Sequence, residues 1–168
     1  MADQSEPISL EMIRTYATSM MSGVPWANFL EFEITGVERG SAFATAPWRE
    51  DLVGDPDTGV IAGGVITSLL DNLCGVAVAT RLTEIKAMAT LDLRIDYMRP
   101  AARGETVVGE AECYHITRSV AFCRGWAYHD TRDRVIATAT AAFALNDPKR
   151  WAPGGGVRSL MKSTESGS

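Results

Sequence analysis

The chain has 168 residues, of which 46% are hydrophobic and 22% charged, and its formal net charge is −5 at pH 7. These values are typical of a single globular domain with its own core. They argue against a nucleic-acid-binding protein, because contacts to phosphate need clustered Lys and Arg and the sequence holds no such cluster.

The N-terminal stretch MADQSEPISLEMIRTY is polar, which predicts that the chain carries no secretory signal. No apolar stretch of the sequence reaches the length that spans a bilayer, so we expect no membrane partner and a cytoplasmic location. Residues 8–21 place apolar side chains at helical spacing and predict an amphipathic helix. These side chains are Ile8, Met12, Ile13, Tyr16 and Met20.

The next segment, residues 29–48, predicts two strands. Phe32, Ile34 and Val37 roughly alternate with polar neighbours, and the sequence ERG marks a turn between the strands. Residues 49–62 are rich in Gly, Pro and Asp and predict a loop.

The longest apolar segment, residues 63–81, predicts a helix that is buried on most of its sides. Four alternating segments follow it: AMATLDLRIDYMRP, ETVVGEAECYHIT, VAFCRGWAYHD and RVIATATAAFALN. Their period of two predicts antiparallel strands with one covered face, and the short turns predict a meander. In the first segment one face holds Ala89, Leu91, Leu93, Ile95 and Tyr97, and the other holds Thr90, Asp92, Arg94 and Asp96.

One antiparallel sheet curled around one helix accounts for both patterns. The predicted fold class is therefore α+β, a long central helix wrapped by a sheet, with an additional N-terminal helix. We expect one domain over residues 1–146 and a polar, flexible tail over residues 147–168.

The cysteines and histidines do not predict a metal site. Cys74, Cys113 and Cys123 form no CxxC pair, and His115 and His129 lie apart from each other in sequence. An odd number of cysteines suits free thiols in a reducing compartment. If the strands around them form a hairpin, Cys113 and Cys123 face each other, and the sequence still favours free buried thiols.

The central helix carries one narrow stripe of small and polar residues. At 100° per residue, Gly64, Ser68, Asp71 and Gly75 fall on this stripe. Small residues permit close approach, so the stripe suggests packing against the same helix of a second chain.

The glycine pair Gly63 and Gly64 would begin this helix, where backbone amides have no intrahelical partner and the helix dipole is positive. That arrangement can stabilise an oxyanion. Asp71 follows Gly64 by about 10 Å along the axis, so the two could meet at one carbonyl only across a dimer. Alternatively, the glycines form only a tight helix entry, and Asp71 only bonds a neighbouring strand or chain.

The run AGGVITSLLD, from Ala62 to Asp71, and the run TLDLRIDYMRPAARGE over residues 90–105 resemble the hotdog-fold acyl-CoA thioesterases of the phenylacetate-degradation type. The resemblance extends over residues 25–146. It implies an acyl-CoA substrate, no metal or redox cofactor, and dimers that often pair into tetramers.

By position, the resemblance makes Asp71 the catalytic base or nucleophile and Gly63 the oxyanion donor. It gives Thr90 the role of holding the nucleophilic water, against the alternative of an ordinary strand threonine. We assign substrate contacts to Gly64, Asp57, Ser68 and Arg99.

The sequence departs from that family at two places. The family has a histidine where this chain has Ala62, and many members have an asparagine in the preceding loop, where only Asp55 and Asp57 could substitute. These departures leave open a non-catalytic acyl or acyl-CoA binding protein on the same fold. A dehydratase or hydratase ranks last, since that chemistry pairs an acid with a histidine near the helix, and none occurs before His115.

Overall fold

The computed structural model describes residues 8–84 and 86–146. The predicted tail, residues 147–168, lies outside the described residues, so the domain boundary stays a prediction. The helices are α1 Leu10–Gly23, α2 Pro25–Leu30 and α3 Gly63–Ala79, and two short 3-10 turns span Glu50–Leu52 and Arg132–Arg134. The strands are β1 Glu33–Glu38, β2 Ser41–Ala46, β3 Val53–Asp55, β4 Val60–Ile61, β5 Ala87–Tyr97, β6 Val107–Ile116, β7 Val120–Tyr128 and β8 Ala137–Asn146.

Six strands form one antiparallel sheet in the order β1-β2-β6-β7-β8-β5, and α3 packs across it. This confirms the predicted α+β class with a sheet around a central helix and a further N-terminal helix. The predicted meander is correct for β6, β7 and β8 but wrong for β5, which pairs with β8 instead of β6. The segment between β5 and β6 crosses three strand spacings, about 14 Å, a distance that nine residues can easily span.

The strands that face α3 carry small residues, which let the large side chains of the helix pack against the sheet backbone. A Cβ on Gly109 of β6 would lie 2.6 Å from Leu73 Cδ1 and 3.0 Å from Leu69, so a side chain at this position would force these leucines to shift. The buried helix residues are Val65, Ile66, Leu69, Leu70, Leu73, Cys74, Ala77 and Val78. Beneath them lie the buried alanines 42, 44, 46, 111, 121, 127, 137, 139 and 141.

Two elements were not predicted from the sequence. The six-residue helix α2 begins at Pro25, a residue whose fixed φ suits a first helical position. The predicted loop 49–62 contains the small antiparallel hairpin of β3 and β4. Both elements are too short to show a clear hydrophobic period.

A β-bulge in β5 changes the predicted faces of this strand. Thr90 pairs with Phe143 and Asp92 with Ala142, so Leu91 is the extra residue, and its side chain is 60% exposed. The strict alternation placed Thr90 on the face opposite Tyr97. The bulge shifts the phase by one, and both side chains face α3, as their hydrogen bonds to α3 show.

The predicted hairpin of β6 and β7 places Cys113 opposite Cys123 in register. Both are buried free thiols, as is Cys74, whose carbonyl oxygen accepts a hydrogen bond from Cys123 Sγ. The neighbouring thiol and burial raise the pKa of Cys113. None of the helices formed by residues 8–84 and 86–146 has the length and apolar character to cross a membrane.

Candidate active site

The N-terminus of α3 presents free backbone amides. Ala62 is the N-cap residue and has no side-chain capping bond, while its carbonyl oxygen accepts from the Val65 amide at 3.0 Å. Within the described part of the chain, no group accepts a hydrogen bond from the amides of Gly63 and Gly64. These two donors lie at the positive end of the helix dipole and can bind a developing negative charge.

The two glycines differ in their surroundings. A Cβ on Gly63 would lie 2.9 Å from the hydroxyl oxygen of Tyr97, whereas a Cβ on Gly64 would meet nothing within 4 Å. The Tyr97 hydroxyl donates to the Gly63 carbonyl oxygen at 2.5 Å and lies 2.9 Å from Thr67 Oγ1. The helix start is therefore held on one side by β5 and open on the other.

Asp71 and Thr90 form the one direct contact between predicted catalytic side chains. Thr90 Oγ1 donates to Asp71 Oδ1 at 2.9 Å, across the space between α3 and β5. Asp71 is half-buried on the stripe two turns beyond the glycines. Its second oxygen, Oδ2, accepts no hydrogen bond from the described side chains and can take one from a water or bind a substrate atom.

Ser68 lies on the same stripe and connects it to α2. Its hydroxyl donates to the Gly64 carbonyl oxygen at 2.9 Å and accepts from the Trp26 indole N–H at 3.2 Å. Trp26 stacks on Phe29 with 5.9 Å between ring centroids, and the two residues are 55% and 50% exposed. The Arg49 guanidinium lies 5.3 Å from the Phe29 ring and donates to the Phe29 carbonyl oxygen. The Trp26–Phe29 pair thus lies beside the stripe, with Trp26 hydrogen-bonded to Ser68 and Phe29 to Arg49.

Two predicted substrate-contact residues, Asp57 and Arg99, form no hydrogen bond or ion pair with Asp71 in the described part of the chain. Asp55 caps the turn between β3 and β4, accepting from the Asp57 amide and from the Thr58 hydroxyl, and the latter bond lowers the pKa of Asp55. The Asp57 side chain is exposed in that turn. Arg99 is exposed beyond the end of β5, where its amide donates to the Ile136 carbonyl oxygen.

Ala62 is packed tightly by the β3–β4 hairpin. A Cβ on Gly54 would lie 2.8 Å from the Ala62 Cα and 3.1 Å from its Cβ. The hairpin therefore occupies the space directly beside Ala62, the N-cap residue. In the family that the sequence resembles, this position is a histidine.

Sequence reasoning missed Tyr97 and Trp26 as residues of the site. Tyr97 was placed only on an apolar strand face, although a phenol on a covered face needs a hydrogen-bond partner. Trp26 follows Pro25, a frequent first helical residue, and that signal for a short helix went unused. Neither residue has a sequence pattern that identifies its partner on α3.

Comparisons with known proteins agree with the fold. A model of the Thioesterase superfamily matches residues 58–136. The medium/long-chain acyl-CoA thioesterase YigI of Escherichia coli K12 is 30% identical over 135 residues, which cover 73% of this chain and 86% of that protein. A crystal structure from Pseudomonas aeruginosa, 35% identical, covers 79% of this chain and 98% of its own, with a TM-score of 0.71. A phenylacetic acid degradation-related protein of Ralstonia eutropha is 27% identical with a TM-score of 0.65, covering 77% of this chain and 98% of its own.

Proposed function

The chain belongs to the thioesterase superfamily, and from this premise we propose that it hydrolyses the thioester of an acyl-CoA with Asp71 as the catalytic carboxylate. Membership confirms the resemblance to hotdog thioesterases drawn from the sequence. The single observation that carries the proposal is the hydrogen bond from Thr90 to Asp71 on the helix that begins with two free glycine amides.

The chemistry follows from these groups. Asp71 accepts a proton from water as the water oxygen attacks the thioester carbon, and the Gly63 and Gly64 amides stabilise the negative oxygen. Collapse of the intermediate breaks the C–S bond, and the thiolate of CoA takes the proton back from Asp71. In the alternative route, Asp71 itself attacks the thioester carbon, the C–S bond breaks and CoA leaves as its thiolate. Water then hydrolyses the resulting anhydride to the same acid and restores Asp71.

We further propose that each site is shared between two chains. Asp71 lies about 10 Å along the axis from Gly64, too far for both to contact one carbonyl carbon and its oxygen. Among the strands that the structure describes, β5 pairs only with β8, which leaves its outer edge free. Leu91 and Tyr97 on this strand and Met98 directly after it are exposed. An open, partly apolar edge is suited to pairing with a second copy, and a two-fold axis would bring Asp71 of one protomer toward the glycines of its partner. Pairing of two such dimers into a tetramer is the corresponding proposal for the larger assembly.

The experiment that tests hydrolysis is release of free thiol from acetyl-, octanoyl-, palmitoyl-, phenylacetyl- and benzoyl-CoA. We expect turnover well above the rate without protein for at least one of them. No turnover with any member of the panel would contradict the proposal.

A non-catalytic acyl-CoA binding protein is the second candidate, favoured by Ala62. With Ala62 in place of the family's histidine, no imidazole stands beside the glycine amides, and the loop residues that could substitute for the family's asparagine are the carboxylates Asp55 and Asp57. A carboxylate does not stabilise an oxyanion. If the panel gives no turnover while the same acyl-CoAs bind in calorimetry, this candidate replaces hydrolysis.

Replacing Thr90 by valine is expected to lower kcat by about tenfold to a hundredfold, because a hydrogen bond to a charged group contributes about 1.5–3 kcal/mol. KM should change little, since the hydroxyl contacts Asp71 and not the acyl chain. The matched control is Thr140→Val on β8, an exposed threonine. Equal kcat in Thr90→Val and the control would show that Thr90 has no role in the reaction.

We propose that the Trp26–Phe29 pair receives an apolar acyl group. The pair is half-exposed, and Trp26 is hydrogen-bonded to Ser68 on the stripe that carries Asp71. The E. coli relative acts on medium and long chains by its name, which agrees with an apolar surface here.

The corresponding prediction concerns chain-length preference. Trp26→Ala should lower kcat/KM for octanoyl-CoA by about tenfold and leave acetyl-CoA within about twofold, because only the longer chain covers the indole. Met12→Ala, an exposed apolar residue on α1, is the control. An equal loss for both substrates would show that Trp26 acts on the site through Ser68 and not on the chain.

A further inference from the structure

Tyr97 makes a directed hydrogen-bond chain into the first turn of α3. Its single hydroxyl proton is donated to the Gly63 carbonyl oxygen at 2.5 Å. In the 2.9 Å hydrogen bond between Thr67 Oγ1 and Tyr97, the Thr67 hydroxyl must then be the donor and the phenol oxygen the acceptor. The direction runs from Thr67 to Tyr97 to the Gly63 carbonyl.

That carbonyl belongs to the same peptide unit as the Gly64 amide. A hydrogen bond accepted by a peptide oxygen polarises the unit and makes its N–H a stronger donor, by about 10–30% per bond. The Gly64 amide is one of the two free donors, and it lies where a Cβ would meet nothing within 4 Å. The chain of bonds therefore ends on the open side of the helix start.

Tyr97 also holds the first turn of a helix that lacks a side-chain N-cap. Ala62 provides no side-chain acceptor for the first turn, and glycines in a helix are conformationally loose, at a cost of about 1 kcal/mol each relative to alanine. The Tyr97 ring fills the space that a side chain at position 63 would need, with the hydroxyl oxygen 2.9 Å and Cζ 3.1 Å from the Cβ position. It thus fixes the turn from the strand side and leaves the amide side free.

We propose that Tyr97 is a positioning residue that orients and polarises the Gly63–Gly64 peptide, so that the Gly64 amide is the stronger donor to the thioester oxygen. This inference rests on the proposed function for its substrate. It assigns a reaction role to a residue that touches neither the acyl chain nor the reacting carbon.

Kinetics give the first test. Tyr97→Phe keeps the ring and removes only the hydroxyl, and should lower kcat by about tenfold with KM within about twofold, because the oxyanion develops only in the transition state. Thr67→Val should lower kcat in the same direction by less, since it removes only the first bond of the chain. Tyr114→Phe is the control, because Tyr114 is a 47% exposed tyrosine on β6 beneath Arg124. A purely structural role would lower the melting temperature of Tyr97→Phe and leave kcat unchanged.

A carbonyl probe gives the second test and does not need turnover. The probe is a ketone analogue of octanoyl-CoA with CH₂ in place of sulphur and ¹³C at the carbonyl, followed by infrared difference spectroscopy. The bound wild type should lower the carbonyl stretching frequency relative to solution, and Tyr97→Phe should move it back toward the solution value. Unchanged kcat and frequency in Tyr97→Phe would overturn the inference and leave hydrolysis standing. A Tyr97-dependent frequency without any turnover would overturn hydrolysis alone. No frequency change on binding to wild type would overturn the inference alone, because hydrolysis is judged by thiol release.

Discussion

Replacing Asp71 by asparagine is expected to lower kcat for acyl-CoA hydrolysis by about a thousandfold, because general-base catalysis contributes about 10²–10⁴ and an amide cannot accept the proton. The fold should be unaffected, since the asparagine oxygen can still accept from Thr90 Oγ1, whose bond to Asp71 is 2.9 Å. Acyl-CoA binding should persist, because the amide retains the size and shape of the carboxyl group. Thiol release and calorimetric binding on the same preparation separate the two effects.

The matched control for this variant is Asp92→Asn. Asp92 is an exposed acid on β5, two residues from Thr90 and across the bulge from it. It undergoes the same chemical change and should keep wild-type kcat. If Asp71→Asn retained more than a tenth of wild-type turnover, Asp71 would be neither base nor nucleophile, and the role would pass to another group.

The second large effect is expected at Gly63. Gly63→Ala should lower kcat by about a hundredfold, the loss typical of one oxyanion donor, because the new methyl group displaces the first turn. Its Cβ would lie 2.9 Å from the Tyr97 hydroxyl oxygen, so either the ring or the helix start must move. The free energy of unfolding should fall by about 1–3 kcal/mol, as for other overpacked positions. Steady-state kinetics and thermal unfolding measure the two quantities.

Gly64→Ala is the informative comparison. There the methyl group would enter open space, and the better helix propensity of alanine would raise stability by up to about 1 kcal/mol. Its kcat/KM should still fall, because the methyl group occupies the side from which the thioester approaches. Wild-type stability and kcat in Gly63→Ala would show that this turn tolerates the change and binds no oxyanion.

These two inactive chains together test the shared site. If Asp71 of one protomer works with Gly63 of its partner, a heterodimer of Asp71→Asn and Gly63→Ala chains contains one site with both wild-type groups. An equimolar mixture, refolded together, should recover about a quarter of wild-type turnover, since half of the dimers are mixed and each has one intact site. Sites contained in single chains would recover none.

The sequence was sufficient for the elements whose pattern is long. The helix α3 and the four strands after it were predicted from hydrophobic periods that extend over nine residues or more. Separate roles for Asp71 and Thr90 were expected from the family resemblance, and the direct hydrogen bond between them was not. The periods themselves pointed the other way, because alternation placed Thr90 on the face away from Tyr97.

The features that the sequence did not predict depend on contacts between segments that are distant in the chain. The pairing of β5 with β8 instead of β6 depends on how all the strands of the sheet are arranged. The residues of a turn predict only that the chain reverses there, and not which strand it pairs with. The bulge at Leu91 has no signature in residue types, since a leucine fits either register. The bonds of Tyr97 and Trp26 join groups 34 and 42 residues apart, and their geometry exists only in the folded chain.

The bulge in β5 bears on how sequences of this fold can vary. Seven positions separate Thr90 from Tyr97, and in a regular strand an odd separation places two side chains on opposite faces. Removal of the residue at the bulge would make the separation even, and a regular strand would still direct both hydroxyls to the helix. A gap with the bulge retained elsewhere in the strand would reverse one of the two. Natural variants with a β5 one residue shorter can therefore keep both contacts, provided that their strand lacks the bulge.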